Sequence, residues 1–171
     1  MNVGAGSSRA ALLNSTSVQD TDVVFRVAAN KVAAGGNYVV YGVTRKSGTS
    51  EYRAKLIFNS NGSVQVLASK LVSGSETALG SAVVVSGLGQ SAGGYIWVHA
   101  QFNGISPTTI KIRAWANGQS EPSAWQYSAT DSAAALQGTG SVGLRIWLAS
   151  AVSNAQVAFN FDDYTVTDLT P

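Results

Sequence analysis

Apolar and polar residues alternate with a period of two along nearly the whole chain, and clusters of Gly, Asn and Ser interrupt the runs. Successive side chains of an extended backbone point to opposite sides, so this period marks strands with one buried face. Ser8 to Leu13 reads as a first strand. Asp22 to Ala29 follows, with Val23, Phe25 and Val27 on one face. In residues 37–46, Tyr38, Val40 and Gly42 alternate with Val39, Tyr41 and Val43. Residues 52–58 set Tyr52, Ala54, Leu56 and Phe58 opposite Arg53, Lys55 and Ile57. Asn61-Gly62 offers a tight hairpin turn, and Val64 to Leu71 returns from it. Residues 78–85, 95–102, 109–115, 141–149 and 156–166 complete a set of about ten short strands. Only Asp131 to Gln137 reads as helical, with Asp131 as its N-cap. This series predicts an all-β fold, an antiparallel two-sheet jelly-roll sandwich, with residues 1–171 as one domain.

Composition then narrows the chemistry. The 171 residues include no Cys and one His, so disulfides, thiolate metal sites, Cys nucleophiles and multi-His metal sites are excluded. Charged residues make up 12%, with a net charge of +2, against about 25% charged in an average soluble protein. Such a small, scattered basic excess does not make a nucleic-acid footprint. The apolar runs fall far short of the ~20 residues of a membrane helix. Met1 leads directly into Asn2-Val3-Gly4-Ala5-Gly6-Ser7-Ser8, which has neither the basic start nor the apolar run of a signal peptide. The expectation is a module cut from a larger parent, or a product that leaves the cell by another route, such as a virus particle. Either places it outside the cell or on a virion surface.

The same alternation sorts the polar faces. Ile96, Val98, Ala100 and Phe102 form one apolar set, which leaves Trp97, His99 and Gln101 opposite. Ile110, Ile112 and Ala114 leave Lys111, Arg113 and Trp115 opposite. Leu144, Ile146 and Leu148 leave Arg145 and Trp147 opposite. Trp97, His99, Arg113, Trp115, Arg145 and Trp147 are therefore expected to build one aromatic and basic face. Flat indoles beside forked Arg donors suit the apolar faces and polar edges of sugar rings, and an acidic polysaccharide gains from the positive charges. The alternative is a shielding role, in which Trp and Arg stack under loops that cover the sheet. His99 alone reads as a hydrogen-bonded structural residue. Trp125, after Glu121-Pro122, reads either as part of a packed loop lid or as a rim contact for a ligand.

Five of the nine acids lie near the ends: Asp20, Asp22, Asp162, Asp163 and Asp168. Terminal strands of a jelly roll often adjoin, so Asp162 and Asp163 with Asp20 or Asp22 could supply carboxylates to a structural calcium ion. The other reading makes them turn residues at strand ends. Glu51, Glu76, Glu121 and Asp131 each fall in or beside a predicted loop, with no second acid at short strand spacing. The paired carboxyls of a glycosidase are therefore not recognisable. A Ser-His-Asp triad would have to use His99, the one His of the chain, and Gly138-Thr139-Gly140-Ser141 precedes a strand rather than a helix. The chain reads as non-catalytic.

Three segments resemble a known family when taken together. They are Glu51-Tyr52-Arg53-Ala54-Lys55 with Asn61-Gly62-Ser63-Val64, the stretch from Ser106-Pro107 to Gly143-Leu144, and Phe161-Asp162-Asp163-Tyr164-Thr165-Val166. The middle stretch contains Ile112-Arg113-Ala114-Trp115 and Glu121-Pro122-Ser123-Ala124-Trp125. The likeness is to the concanavalin A-like (laminin-G-like) jelly-roll modules of actinobacterial secreted proteins and of virion proteins of actinophages. It covers residues 8–166. It implies the sandwich fold, a non-catalytic attachment role, and Asp163 or Asp162 as a calcium ligand. Such modules usually sit beside other domains, and an edge strand here is expected to be missing or supplied by a neighbouring subunit. The function expected is binding of a polysaccharide or cell-surface glycan, for adhesion or targeting. The alternative is a structural role in a phage virion, as a capsid decoration or tail component.

Overall fold

The computed structural model describes residues 1–169. In chain order the strands are β1 (Asn2–Val3), β2 (Ser8–Val18), β3 (Thr21–Ala29), β4 (Tyr38–Ser47), β5 (Ser50–Phe58), β6 (Ser63–Val72) and β7 (Ser75–Ala78). They continue as β8 (Val83–Gly89), β9 (Ile96–Asn103), β10 (Thr108–Ala116), β11 (Tyr127–Asp131), β12 (Gly140–Leu148) and β13 (Val157–Asp168). One sheet has the order β1-β13-β3-β9-β10-β11; the other runs β2-β12-β4-β5-β6-β7, with β8 also paired to β6. Neighbouring strands are antiparallel throughout. This is the expected jelly-roll sandwich.

The apolar halves of the alternating runs meet between the sheets. Phe25, Val98, Phe102 and Ile112 of the six-stranded sheet are buried in one core with Tyr38, Tyr52, Leu56, Phe58 and Ile146 of the seven-stranded sheet. Gly42 lets the sheets approach closely: a Cβ there would lie 3.3 Å from the Phe25 ring. The strands that carry the acids near the two ends, β3 and β13, do adjoin, for Asp22 on β3 pairs with Thr167 on β13. No helix among the described residues is long and apolar enough to cross a membrane.

Several local expectations change. The stretch 78–85 is not one strand: residues 79–82 separate β7 from β8, and Gly80 takes a φ of +126° there. Asp131 does not cap a helix but ends β11. A single 3-10 turn, Ala134–Leu136, follows it without a side-chain cap. Asp131 instead binds Lys70 at 2.5 Å, Tyr52 at 2.8 Å and the Ala133 amide at 2.9 Å. At the β5–β6 turn only Gly62 takes a positive φ, +84°. The Asn61 side chain caps the turn by accepting from the Ser63 amide at 3.0 Å.

Candidate functional site

The six residues expected on one face occupy two. Trp97, His99, Arg113 and Trp115 lie on β9 and β10 of the six-stranded sheet, whereas Arg145 and Trp147 lie on β12 of the other. Alternation tells which side of a strand faces the core, but both sheets have an outer side. The expected common face is therefore two opposed faces with the core between them.

On the six-stranded sheet, register sets Trp97 beside Trp115 and His99 beside Arg113. The two indoles are nearly parallel, 7° apart with centroids at 5.9 Å. Trp97 donates its ring N–H to Asn117 at 3.0 Å, and Arg26 lies over the Trp97 and Tyr95 rings. His99 Nε2 meets Asp22 at 2.7 Å, and its Nδ1 contacts Glu121. Arg113 pairs with the same Glu121 oxygen at 2.6 Å and donates to the Pro122 carbonyl at 2.6 Å. Trp125 covers both, with its ring 4.2 Å from the Arg113 guanidinium carbon and 4.9 Å from the imidazole. The segment carrying Glu121 and Trp125 is thus a packed lid whose polar atoms satisfy those beneath it.

The acids named for calcium do not converge. Asp20 binds Arg45 at 3.0 Å, Asp22 binds His99, and Asp162 and Asp163 both hold Arg26, at 2.7 and 2.8 Å. Asp162 pairs with Arg26, four residues along β3 from Asp22, a span of roughly 13 Å at strand rise. Among the described residues no group of three or more acidic or His side chains is placed to hold a metal ion.

The outer face of the seven-stranded sheet is different. Register sets Arg145 beside Tyr41 and Tyr41 beside Lys55, while Trp147 stands beside Val39. With Arg53, Glu76, Leu71, Gly74 and Ser8 these residues line a cleft of about 520 Å³. Trp147 is 38% exposed and Tyr41 is buried. Arg53 and Lys55 lie over the Tyr41 ring at 5.2 and 5.4 Å. The Arg53 guanidinium bridges two carboxylates, Glu51 at 2.7 Å and Glu76 at 2.9 Å. Glu76 also takes Lys55 at 2.6 Å and the Ser69 hydroxyl at 2.6 Å. Burial alone would raise the Glu76 carboxyl, but hydrogen bonds from Lys55 and Ser69 and the charges of Lys55 and Arg53 hold it below the ordinary range. Burial, reinforced by the Glu76 charge, pushes the Tyr41 hydroxyl up to about 12, so it stays protonated.

Glu51 and Glu76 lie beside turns, as the sequence pattern predicts, each as the second residue of its strand. Glu51 lies in β5 and is 1% exposed. Its signal was the spacing Glu51-Tyr52-Arg53, which puts acid and base on one face of one strand. Glu76 gave no such signal, because only the β6–β7 hairpin register, which pairs it with Leu71, brings it to the cleft.

No family model matches the chain, and no curated protein matches it. Solved structures share the fold. A carbohydrate-binding module, CBM66 from Bacillus subtilis, superposes with a TM-score of 0.61 at 12% identity, over 95% of this chain and 96% of that one. The GH43 protein BlXynB of Bacillus licheniformis gives 0.53 at 15% identity; 88% of this chain is covered but only 28% of that one. The CBM2 module of the evolved Dit of Lactobacillus casei BL23 phage J-1 gives 0.52 at 12% identity, over 93% of this chain and 66% of that one. The two outer faces, not these likenesses, distinguish what this chain can bind.

Proposed function

We propose that the chain is a non-catalytic glycan-binding module, displayed outside a cell or on a virion, and that the cleft on the seven-stranded sheet is its site. One observation carries this: the most exposed indole, Trp147, stands at a cleft that it shares with the hydrogen-bonding side chains of Ser8, Arg53, Lys55, Glu76 and Arg145. A sugar ring stacks its C–H face on such an indole while Arg, Lys and Glu bind its hydroxyls. The likeness to a carbohydrate-binding module supports the reading, since that protein has the same architecture over nearly its whole length. Glycoside hydrolysis would require one carboxyl kept protonated opposite a second. Here Glu51 and Glu76 share one guanidinium, and Glu76 is held in its charged form.

A glycan array probed with wild type and with Trp147→Ala tests this. Binding by wild type, weakened about tenfold or more in the variant, is expected for loss of a stacked aromatic contact. A wild type that binds no glycan and instead forms a defined oligomer in native mass spectrometry overturns it. That result favours a structural role in a virion, for which the outer edge of β2, paired only to β12, is one available surface.

A further inference from the structure

The cleft holds three cations, Arg53, Lys55 and Arg145, and two carboxylates, Glu51 and Glu76. The carboxylates are spent unevenly. Glu76 is shared by Arg53 and Lys55, and Glu51 is buried against Arg53 at 2.7 Å. Arg145 meets Glu51 through Nε, at 3.3 Å and without a hydrogen bond. Its two terminal amino groups make no hydrogen bond among the described residues, and its side chain is 24% exposed beside Trp147. On the opposite sheet the outward Arg forks are filled: Arg26 by Asp162 and Asp163, and Arg113 by Glu121 and the Pro122 carbonyl; Arg9, exposed on β2, spends one amino group on the Ser8 carbonyl. The surplus charge of the cleft therefore sits on one open guanidinium fork next to an exposed indole.

Resting on the glycan-binding reading above, we infer that the ligand is a carboxylated polysaccharide, a chain containing uronic-acid units. A carboxylate matches the planar donor pair of Arg145 in a bidentate, charge-assisted contact, while its ring stacks on Trp147. Glu76, already satisfied by Lys55 and Arg53, leaves the mouth of the cleft open to an anion. Neutral sugars would leave the Arg145 fork to water and forgo that contact.

The test is calorimetric titration with polygalacturonate, alginate and hyaluronan, each beside its carboxyl-reduced counterpart, which keeps the chain but removes the charge. At least one acid form is expected to bind about tenfold or more tightly than its reduced form, with affinity falling as salt rises. Arg145→Gln should remove that preference. Arg145→Lys, which keeps the charge but loses the fork, should restore it only in part, and both variants should show wild-type circular dichroism. Lys111→Gln on the opposite sheet should leave affinity unchanged. Equal affinity for acid and reduced forms, with binding still lost in Trp147→Ala, overturns the acidic ligand and leaves the glycan site standing. Equal losses in Arg145→Gln and Lys111→Gln mean diffuse charge attraction and likewise overturn it. Binding to no glycan, charged or neutral, overturns both readings.

Discussion

Arg45 is 1% exposed, yet all its nitrogens are used. Nε donates to the Gln19 carbonyl at 2.7 Å. One terminal nitrogen serves Thr108 and the Leu136 carbonyl, at 2.7 and 3.0 Å. The other serves Asp20 and the Gly104 carbonyl, at 3.0 and 2.8 Å. One guanidinium thus ties four loop and strand ends together and takes the carboxylate that the sequence offered to calcium. Period-two alternation could not place it, because the β4–β5 register shifts between Thr44 and Ser47, and such an irregularity re-aims side chains. Arg45→Met should cost roughly 3–5 kcal/mol in urea unfolding, since three carbonyls lose a charged donor and Asp20 loses its cation, keeping only the Gly104 amide. A loss under about 1 kcal/mol would contradict this account. Glu76 makes a second prediction at this scale. Its carboxyl is held below the ordinary value of 4.5, so its stabilising contribution is complete above that pH and disappears as pH falls through the depressed folded value. Glu76→Gln should therefore be less stable than wild type at pH 7, and the two unfolding midpoints should converge in acid. A gap that stays constant down to pH values near 2 would rule out this coupling.

Among the elements, strands were legible wherever burial enforces alternation. The core sets of β3, β5, β9, β10 and β12 are those that the sequence pattern picks out. Sheet membership was not legible, because a period of two is the same in either sheet. Pairing depends on contacts far apart in the chain, such as Ser8 with Trp147. Alternation alone therefore groups Trp147 with Trp115, although the core separates them. The segment between β10 and β11 shows the same limit, since only its folded position reveals that Glu121 and Trp125 close over His99 and Arg113. Trp125→Ala should lower stability by about 1–2 kcal/mol, from lost cation–π and ring contacts. Glycan affinity should not change, because the cleft lies on the other sheet. Differential scanning calorimetry and titration of the same variant measure both, and a large affinity loss would place the ligand under this lid.

The whole molecule fixes how many ligands one chain can hold. Packed sheets stand about 10 Å apart, so the Trp147 cleft and the Trp97–Trp115 pair face opposite directions across the core. One glycan segment cannot span both, and the two faces differ in what they leave open. On the six-stranded side the Trp97 N–H, Arg26, His99 and Arg113 already have partners within the chain. A sugar there would have to compete with bonds already formed, whereas the Arg145 fork is vacant among the described residues and Trp147 is exposed. Titration with an oligosaccharide too short to bridge two molecules should therefore give one site per chain. Trp147→Ala should remove that site. Trp115→Ala should keep both the stoichiometry and the affinity within about twofold, because its neighbours contribute nothing to the cleft. Two sites per chain, or loss of binding in Trp115→Ala, would show that the parallel indole pair is itself a platform and would move recognition to the opposite sheet.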